Sequence, residues 1–476
     1  MSVQTIIAGS NDAVRDALSA DLAWRGAGLD VVGAALIGAG DAAVPVIARA
    51  PMWEALNFPE GASLLLLAET PPSKAMRVVL ARAAERRMKV LVRETGQLRA
   101  LKLDDLLGPR RGALDWKAIA NLIGGKRVLI TGGGGSIGSE LARRVASFNP
   151  QRLTLLDCSE FNLYRISHEL PDARLAMADV RDAKAIKRWM QQEQPHLVIH
   201  TAALKQVPLV EEFPGEGVLT NVVGLRIVAE AAQSVGADLV FLSTDKAVDP
   251  SGAMGASKRL GELYCQALDR RGGPRAISVR LGNVLGSTGS VAPLFERQLA
   301  AGGPLTVTSP EVTRYFLTIP QAANALLQAA AACRDGARAR GAVLVVDMGE
   351  AVPIVDLAAD VIRLAGLKPR EDVEIKYVGM RLGEKLHEQL IASDEQRGVD
   401  PAPGVIAAAS APRGLAELNE VIDRLAMLAR EGANGAVMAE LFAALETPAA
   451  PAQHAARSNP AFAGSEAARE RPKPTE

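Results

Sequence analysis

Three cysteines in 476 residues (Cys158, Cys265 and Cys333) stand far apart, and none sits in a CxxC. That spacing excludes a disulfide framework and the common zinc arrangements, and it suits a reducing compartment. Charge of one sign is also missing: Lys plus Arg number 54, and so do Asp plus Glu. No field of either sign points to nucleic acid or to a membrane surface. Long hydrophobic runs are absent too. The best one, VVGAALIGAG, stops at Asp41, short of the roughly 20 apolar residues that cross a bilayer. The start, MSVQTIIAGSND, has no basic stretch followed by an apolar core, so no secretory signal is read there. A cytoplasmic protein without an integral membrane segment is expected. None of the five histidines (His168, His196, His200, His387, His454) has metal-ligand spacing, so no metal is expected.

What is present is a globular composition, 48% hydrophobic and 23% charged, at a length that allows two or three domains. Residues 1–96 read as a small Rossmann-like α/β module. TIIAG, VVGAALI, SLLLLAE and KVLVR have strand length, and SKAMRVVLARAAERR is helix-like. Its first turn, AGSNDAV, has a single glycine, so a dinucleotide could not approach it closely; a structural or regulatory module without a ligand is expected. Residues 97–124 read as a connector with a short helix. From 125 to 400, RVLIT, RLTLLD, RLAMAD, HLVIHTA, ADLVFLST and AISVRLG alternate with helical segments. That alternation predicts an α/β domain built on a doubly wound parallel sheet, with a smaller substrate-binding part. Residues 401–446 read as C-terminal helices and 447–476 as a disordered tail rich in Ala, Pro, Glu and Arg.

The sequence KRVLITGGGGSIGSEL is a strand, a glycine turn and a helix start. Gly132, Gly135 and Gly138 are spaced GxxGxxG. The first permits the tight turn, the second lets backbone amides reach a pyrophosphate, and the third lets the helix pack against the strand. Asp157 ends the next strand, where a carboxylate accepts ribose hydroxyls and repels a 2′-phosphate, which favours NAD over NADP. Asp179 and Val180, at the end of the third strand, are placed to meet the adenine.

Further on, FLSTDKAVDPSGAMGASK ends a strand on Ser243, Thr244, Asp245 and Lys246, with Met254 and Lys258 four residues apart on a later helix. A hydroxyl, a carboxylate and two amines at one strand end are equipment for proton transfer.

The motifs TGGGGSIGSEL, DCSEFNLY, HTAALKQVPLVE, STDKAVDP, MGASK, VRLGNVLGSTGSV, TRYFLTIPQA and RLGEKLHE follow in that order across about residues 100–395. Together they resemble the extended short-chain dehydrogenase/reductase superfamily. More narrowly, they resemble its nucleotide-sugar 4,6-dehydratases of bacterial surface glycan synthesis, which act on UDP-N-acetylglucosamine. The resemblance implies a tightly bound, recycled NAD lined also by Ser136, Ile137, Ala202 and Ala203, a UDP-sugar substrate, and a homo-oligomer. It implies Asp245 as the acid at C6, Lys246 as the base at C5, Thr244 against the C4 oxygen and Lys258 on the nicotinamide ribose. Substrate contacts fall to Lys205, Asn283, Arg314, Arg381 and Glu384; the two arginines suit a diphosphate.

A lysine base must be neutral, which burial with a second cation nearby would favour. Met254 replaces the superfamily's usual tyrosine, and a thioether cannot exchange a proton. The resemblance ties a methionine here to the branch that retains the C5 configuration. It leaves the C4 base to Thr244 with water and Lys258. A C4 epimerase, which needs no acid and base at C5 and C6, and a non-catalytic NAD sensor remain open readings.

Overall fold

The computed structural model describes residues 3–19, 29–37, 42, 44, 46–58, 63–68, 71, 73–94, 97–108, 113–334 and 339–446. The tail expected over 447–476 lies outside them.

The first sheet contains β1 (Val3–Ser10), β2 (Leu29–Ile37), β3 (Val46–Ala50), β4 (Leu64–Leu67), β5 (Lys89–Glu94) and β6 (Gln97–Ala100). Their order is β3-β2-β1-β4-β5-β6. β4 is four leucines, all buried, as a parallel strand covered on both faces requires. The connector expected from residue 97 begins later. β6 pairs antiparallel with β5, and Leu101, Leu103 and Leu106 enter the module's core. Four residues on a sheet edge are too few to display a readable alternation. The short helix Trp116–Ile123 is present, capped by Asp115, whose carboxylate accepts the Ala118 amide at 2.9 Å.

The second sheet contains β7 (Arg127–Thr131), β8 (Arg152–Asp157), β9 (Arg174–Met177), β10 (Leu197–His200), β11 (Asp238–Thr244) and β12 (Ala276–Leu281). Its order runs β9-β8-β7-β10-β11-β12, then Val343–Val346, Val405–Ala409 and Gln396–Arg397. The strands from β7 to β12 and Val343–Val346 are parallel, and the last two are antiparallel. The protein is therefore an α/β fold with a doubly wound, Rossmann-like parallel sheet. Val405–Ala409 belongs to this sheet, so the layer runs beyond the expected boundary at 400. The helices Leu415–Arg430 and Asn434–Ala443 follow it.

Helices cover both faces of this sheet. One face buries Leu141, Leu163 and Leu326; the other buries Leu225, Leu260 and Leu425. The helix Ala253–Arg270 is buried along nearly its whole length, with the two C-terminal helices packed into the same core. A helix enclosed on all sides holds its side chains in fixed rotamers, which matters because it carries Met254 and Lys258. The first module joins the remaining part of the chain through one shared core, in which Met76, Val79 and Leu80 meet Phe295, Ile354 and Leu357. Arg77 and the buried Asp360 pair across this joint at 3.1 Å.

The winding reverses between β7 and β10. In open α/β sheets ligands bind outside the carboxyl ends of the strands at such a switch point.

Candidate active site

A cleft of about 920 Å³ opens at that switch point. One wall is the glycine turn. Gly132 has φ +66°, which an L side chain rarely adopts, and a Cβ there would stand 2.8 Å from the Ala202 amide nitrogen. A Cβ on Gly138 would stand 2.0 Å from the Gly132 carbonyl oxygen. Only glycine allows the helix Ser136–Ser147 to start this close to β7, and Ser136, Ile137 and Gly138 of its first turn line the cleft. Ser136 accepts the Thr288 amide at 3.0 Å, which ties the loop 286–290 to the helix start.

Asp157, at the end of β8, is buried. Its Oδ2 accepts the Gly134 amide at 3.1 Å and its Oδ1 the Ser159 amide at 2.9 Å. Each carboxylate oxygen has a second lone pair, so ribose hydroxyls can still bind. Asp179 is held by Arg181, whose Nε and Nη2 reach its Oδ2 at 2.9 and 2.8 Å. Burial tends to raise its pKa, but the Arg181 side-chain and backbone hydrogen bonds outweigh that and leave it lowered. Ile137, Val180, Ala202 and Ala203 line the same wall. Arg165, which the sequence did not single out, also lines it, and it donates to the Gly134 carbonyl at 3.1 Å.

The reactive end lies where β11 stops. Thr244 caps a single 3-10 turn, Asp245–Ala247. Its hydroxyl donates to Asp245 Oδ1 at 3.0 Å. Lys246 Nζ donates to the same oxygen at 3.0 Å and to Asn283 Oδ1 at 2.8 Å, and it lies 3.4 Å from Glu388 Oε1. Thr244, Lys246, Met254, Lys258, Asn283, Arg314, Arg381, Glu384 and Lys205 all line the cleft. Asp245 does not: it is fully buried behind Thr244 and Lys246, and its Oδ2 has no hydrogen-bond partner.

A lysine acting as a base must be neutral, a form that burial with a second cation nearby would favour. Burial does pull Lys246 down, but Asp245 and then Glu388 more than offset this, and its pKa lies above that of an ordinary lysine. Arg314, which the resemblance sets against a diphosphate, lines the cleft but is partly engaged within the protein. Its Nη1 is bound to the carbonyls of Thr313 and Leu386 at 2.7 and 3.1 Å, and its Nε lies 3.7 Å from Glu388. Arg381 is exposed at the rim.

The depressed lysine is Lys258. Burial brings it down to about 8, against the opposing pull of Glu262 and Cys265. Its Nζ donates to the Leu242 carbonyl at 3.0 Å and lies 4.6 Å from the centre of the Phe241 ring. Met254 stands one turn before it and is nearly buried. Lys205, also lowered by burial, donates to Ser287 Oγ at 3.0 Å.

Beneath the turn lies a network that no motif in the sequence signals. Ser243 donates to Glu262 Oε1 at 2.7 Å. Arg280 grips Glu262 Oε2 at 2.6 Å and Glu395 Oε1 at 2.7 Å. Through Glu395 the segment carrying Arg381, Glu384 and Glu388 is anchored to Arg280 of β12 and to Arg259 of the helix Ala253–Arg270. Among the described residues no cluster of His, Cys, Asp or Glu is arranged to hold a metal, and no helix is long and apolar enough to cross a membrane.

Residues 128–409 match the family described as "Polysaccharide biosynthesis protein". The probable polysaccharide biosynthesis protein EpsC of Bacillus subtilis (strain 168) is 44% identical over 312 residues, which is 64% of this chain and 51% of EpsC. The chain thus spans about half the length of that relative. Among solved structures, the X-ray structure of Pen from Bacillus thuringiensis superposes with a TM-score of 0.54 at 30% identity, over 61% of this chain and 88% of that one. A double mutant of the dTDP-glucose 4,6-dehydratase DesIV from Streptomyces venezuelae, solved with NAD and DAU bound, gives a TM-score of 0.50 at 23% identity, over 56% and 88%. At that identity the likeness is one of fold.

Proposed function

This chain belongs to the polysaccharide biosynthesis protein family, and from that premise we propose that it dehydrates UDP-N-acetylglucosamine across C5 and C6. The product is UDP-2-acetamido-2,6-dideoxy-alpha-D-xylo-hexos-4-ulose, with the C5 configuration retained. The observation that carries this reading is the Asp245–Lys246 contact at 3.0 Å. Elimination needs a base and an acid at adjacent carbons, and a single proton passing from Nζ to Oδ1 creates both at once. An epimerase has no use for such a pair.

The glycine turn and Asp157 fit NAD: the turn has no room for a Cβ, and the carboxylate still has lone pairs for ribose hydroxyls. Gly132, Gly135, Ser136, Ile137 and Gly138 would hold its pyrophosphate, Asp157 its adenosine ribose, and Asp179 and Val180 its adenine side. Bound NAD supplies a hydride acceptor for C4 and returns that hydride to C6, so no net oxidation occurs.

The chain's residues do the rest. Met254 cannot take the C4 hydroxyl proton. Lys258, with a pKa of about 8, is suited to that task near neutral pH. Oxidation at C4 acidifies C5, and Lys246 as the free amine removes the C5 proton. Asp245, then protonated, serves the departing C6 oxygen. Because Asp245 is buried, that proton travels over the Thr244 hydroxyl, which faces the cleft and touches Oδ1. Thr244 thus relays to C6, a different duty from the C4 contact expected of it. Lys205, Asn283, Arg381 and Glu384 line the space left for the sugar nucleotide.

Incubation of the purified protein with UDP-N-acetylglucosamine tests the reading by mass spectrometry and NMR. A product lighter by one water, with a 6-methyl signal, supports it. A galacto-configured sugar of unchanged mass identifies an epimerase, and no turnover with NAD retained identifies a sensor.

A further inference from the structure

Glu388 is placed where neither the fold nor the reading above requires a charge. It is nearly buried, with a side chain 2% exposed, and its Oε2 has no hydrogen-bond partner. Its Oε1 stands 3.4 Å from Lys246 Nζ and 3.7 Å from Arg314 Nε. The three protons of the Lys246 ammonium therefore face three acceptors: Asp245 Oδ1, Asn283 Oδ1 and Glu388 Oε1. One of them, Asp245, exchanges a proton with the lysine in the proposed cycle. Asn283 is neutral. Glu388 is the remaining charge, and it comes from a segment far from β11 in sequence, held there by the Glu395–Arg280 contact.

We propose that Glu388 is a positioning residue that sets the proton affinity of the Asp245–Lys246 pair, so that the pair carries the single proton it needs at neutral pH. This rests on the elimination reading only for its kinetic arm.

The chemistry follows from counting protons. The working pair holds one proton, on Nζ or on Oδ1. A second proton blocks the base, and loss of the first removes the acid, so the pair gives a bell-shaped profile whose two limbs belong to the pair as a whole. A carboxylate at 3.4 Å favours every protonated form and raises both limbs. The other charged groups packed around the lysine are fixed in kind. Arg314 faces Glu388 from the strand Thr313–Arg314. Lys385, on the same segment as Glu388, donates to the Val248 carbonyl and lies in the fields of Asp249, Asp245, Lys246 and Glu388. Glu211, on the helix Val207–Glu212, lines a hollow of about 10 Å³ together with Lys246, Lys385 and Glu388. Burial raises Glu211 toward neutrality. Glu388 is thus the carboxylate that acts on the pair from outside the proton transfer, with Arg314 opposing it.

Two variants and two readouts test this. Glu388→Gln keeps the shape and removes the charge; Glu388→Asp keeps the charge. In the free protein, competitive acetylation of Lys246 with acetic anhydride, followed by peptide mass spectrometry against pH, reports the lysine's titration without any turnover. Half-reactivity should fall by about one pH unit or more in Glu388→Gln and stay near the wild type in Glu388→Asp. In turnover, both limbs of the pH–rate profile should move down together in Glu388→Gln. An unmoved titration in Glu388→Gln overturns the proposal, and so does an equal shift in both variants, because shape rather than charge would then be at work. A wild type that shows no elimination while the acetylation shift is present sinks the dehydratase reading and leaves this proposal standing.

Discussion

Lys246 Nζ and Asp245 Oδ1 lie 3.0 Å apart in consecutive residues of one 3-10 turn, and only the lysine reaches the cleft. The base of the proposed elimination is therefore exposed to the substrate while its acid is sealed behind it. Lys246→Ala should lower elimination by at least about 10²-fold and leave NAD bound, because the dinucleotide wall is formed by other elements. The cofactor absorbance of the purified variant and its turnover check this together. Substantial elimination by the variant would refute the assigned base.

The glycine turn makes a steric prediction. In Gly138→Ala the new methyl would meet the Gly132 carbonyl at 2.0 Å, and backbone atoms cannot swing aside. The loop must open, so NAD retention should be lost and stability should drop by about 1–3 kcal/mol. Calorimetry with and without added NAD measures both, and an unchanged NAD affinity would mean that the turn does not hold the cofactor.

Lys258 gives a pH prediction with a fixed sign. An unfolded lysine titrates near 10.5, and this one near 8 when folded. Folding therefore disfavours its charged form. The cost, on the order of 3 kcal/mol, is fully present below pH 8 and disappears as pH rises to about 10.5. Lys258→Met should raise the melting temperature at pH 7, and its advantage should shrink as pH approaches 10. An advantage that stays constant with pH would show that the ammonium is not penalised.

Arg280 is 0% exposed and holds two buried carboxylates, Glu262 and Glu395. Arg280→Met leaves only Arg259 to hold both, at 3.3 Å from Glu262 Oε2 and against Glu395 Oε1, and should cost about 3 kcal/mol at pH 7. Burial opposes it, but the Arg280 hydrogen bond and charge hold Glu395 down at about 2, below the ordinary 4.5. The wild type should therefore lose this contribution as pH falls from 4.5 toward 2, and the variant, in which Arg259 alone acts on Glu395, should show a smaller acid-dependent decline. Urea titrations at pH 7 and pH 3 decide it; a loss under 1 kcal/mol at pH 7 would count against the network's importance.

How much of this was visible in the sequence depends on locality. The glycine turn, Asp157 and the run from Thr244 to Lys258 are contiguous motifs whose spacing alone sets strand end against helix start, and the cleft is lined by the turn, Asp157, Thr244, Lys246, Met254 and Lys258 but not by Asp245. The residues that were missed are long-range. Glu388 stood within a recognised motif, but nothing in RLGEKLHE says that it folds back against Lys246. The charge of Lys246 was not legible for the same reason, since its acceptors come from three separate segments. The strands Gln97–Ala100 and Val405–Ala409 escaped because short antiparallel additions to a sheet carry almost no periodic signal of their own. Burial of Asp245 behind its neighbours is likewise a matter of packing, which two adjacent charged letters do not reveal.

The most direct test of the central claim is turnover of UDP-N-acetylglucosamine in D₂O, with the initial product followed by NMR. The account predicts a 4-keto-6-deoxy sugar that carries deuterium at C5 in the D-xylo configuration. A product with the C5 proton retained, an L-arabino product or a galacto-configured epimer would contradict it.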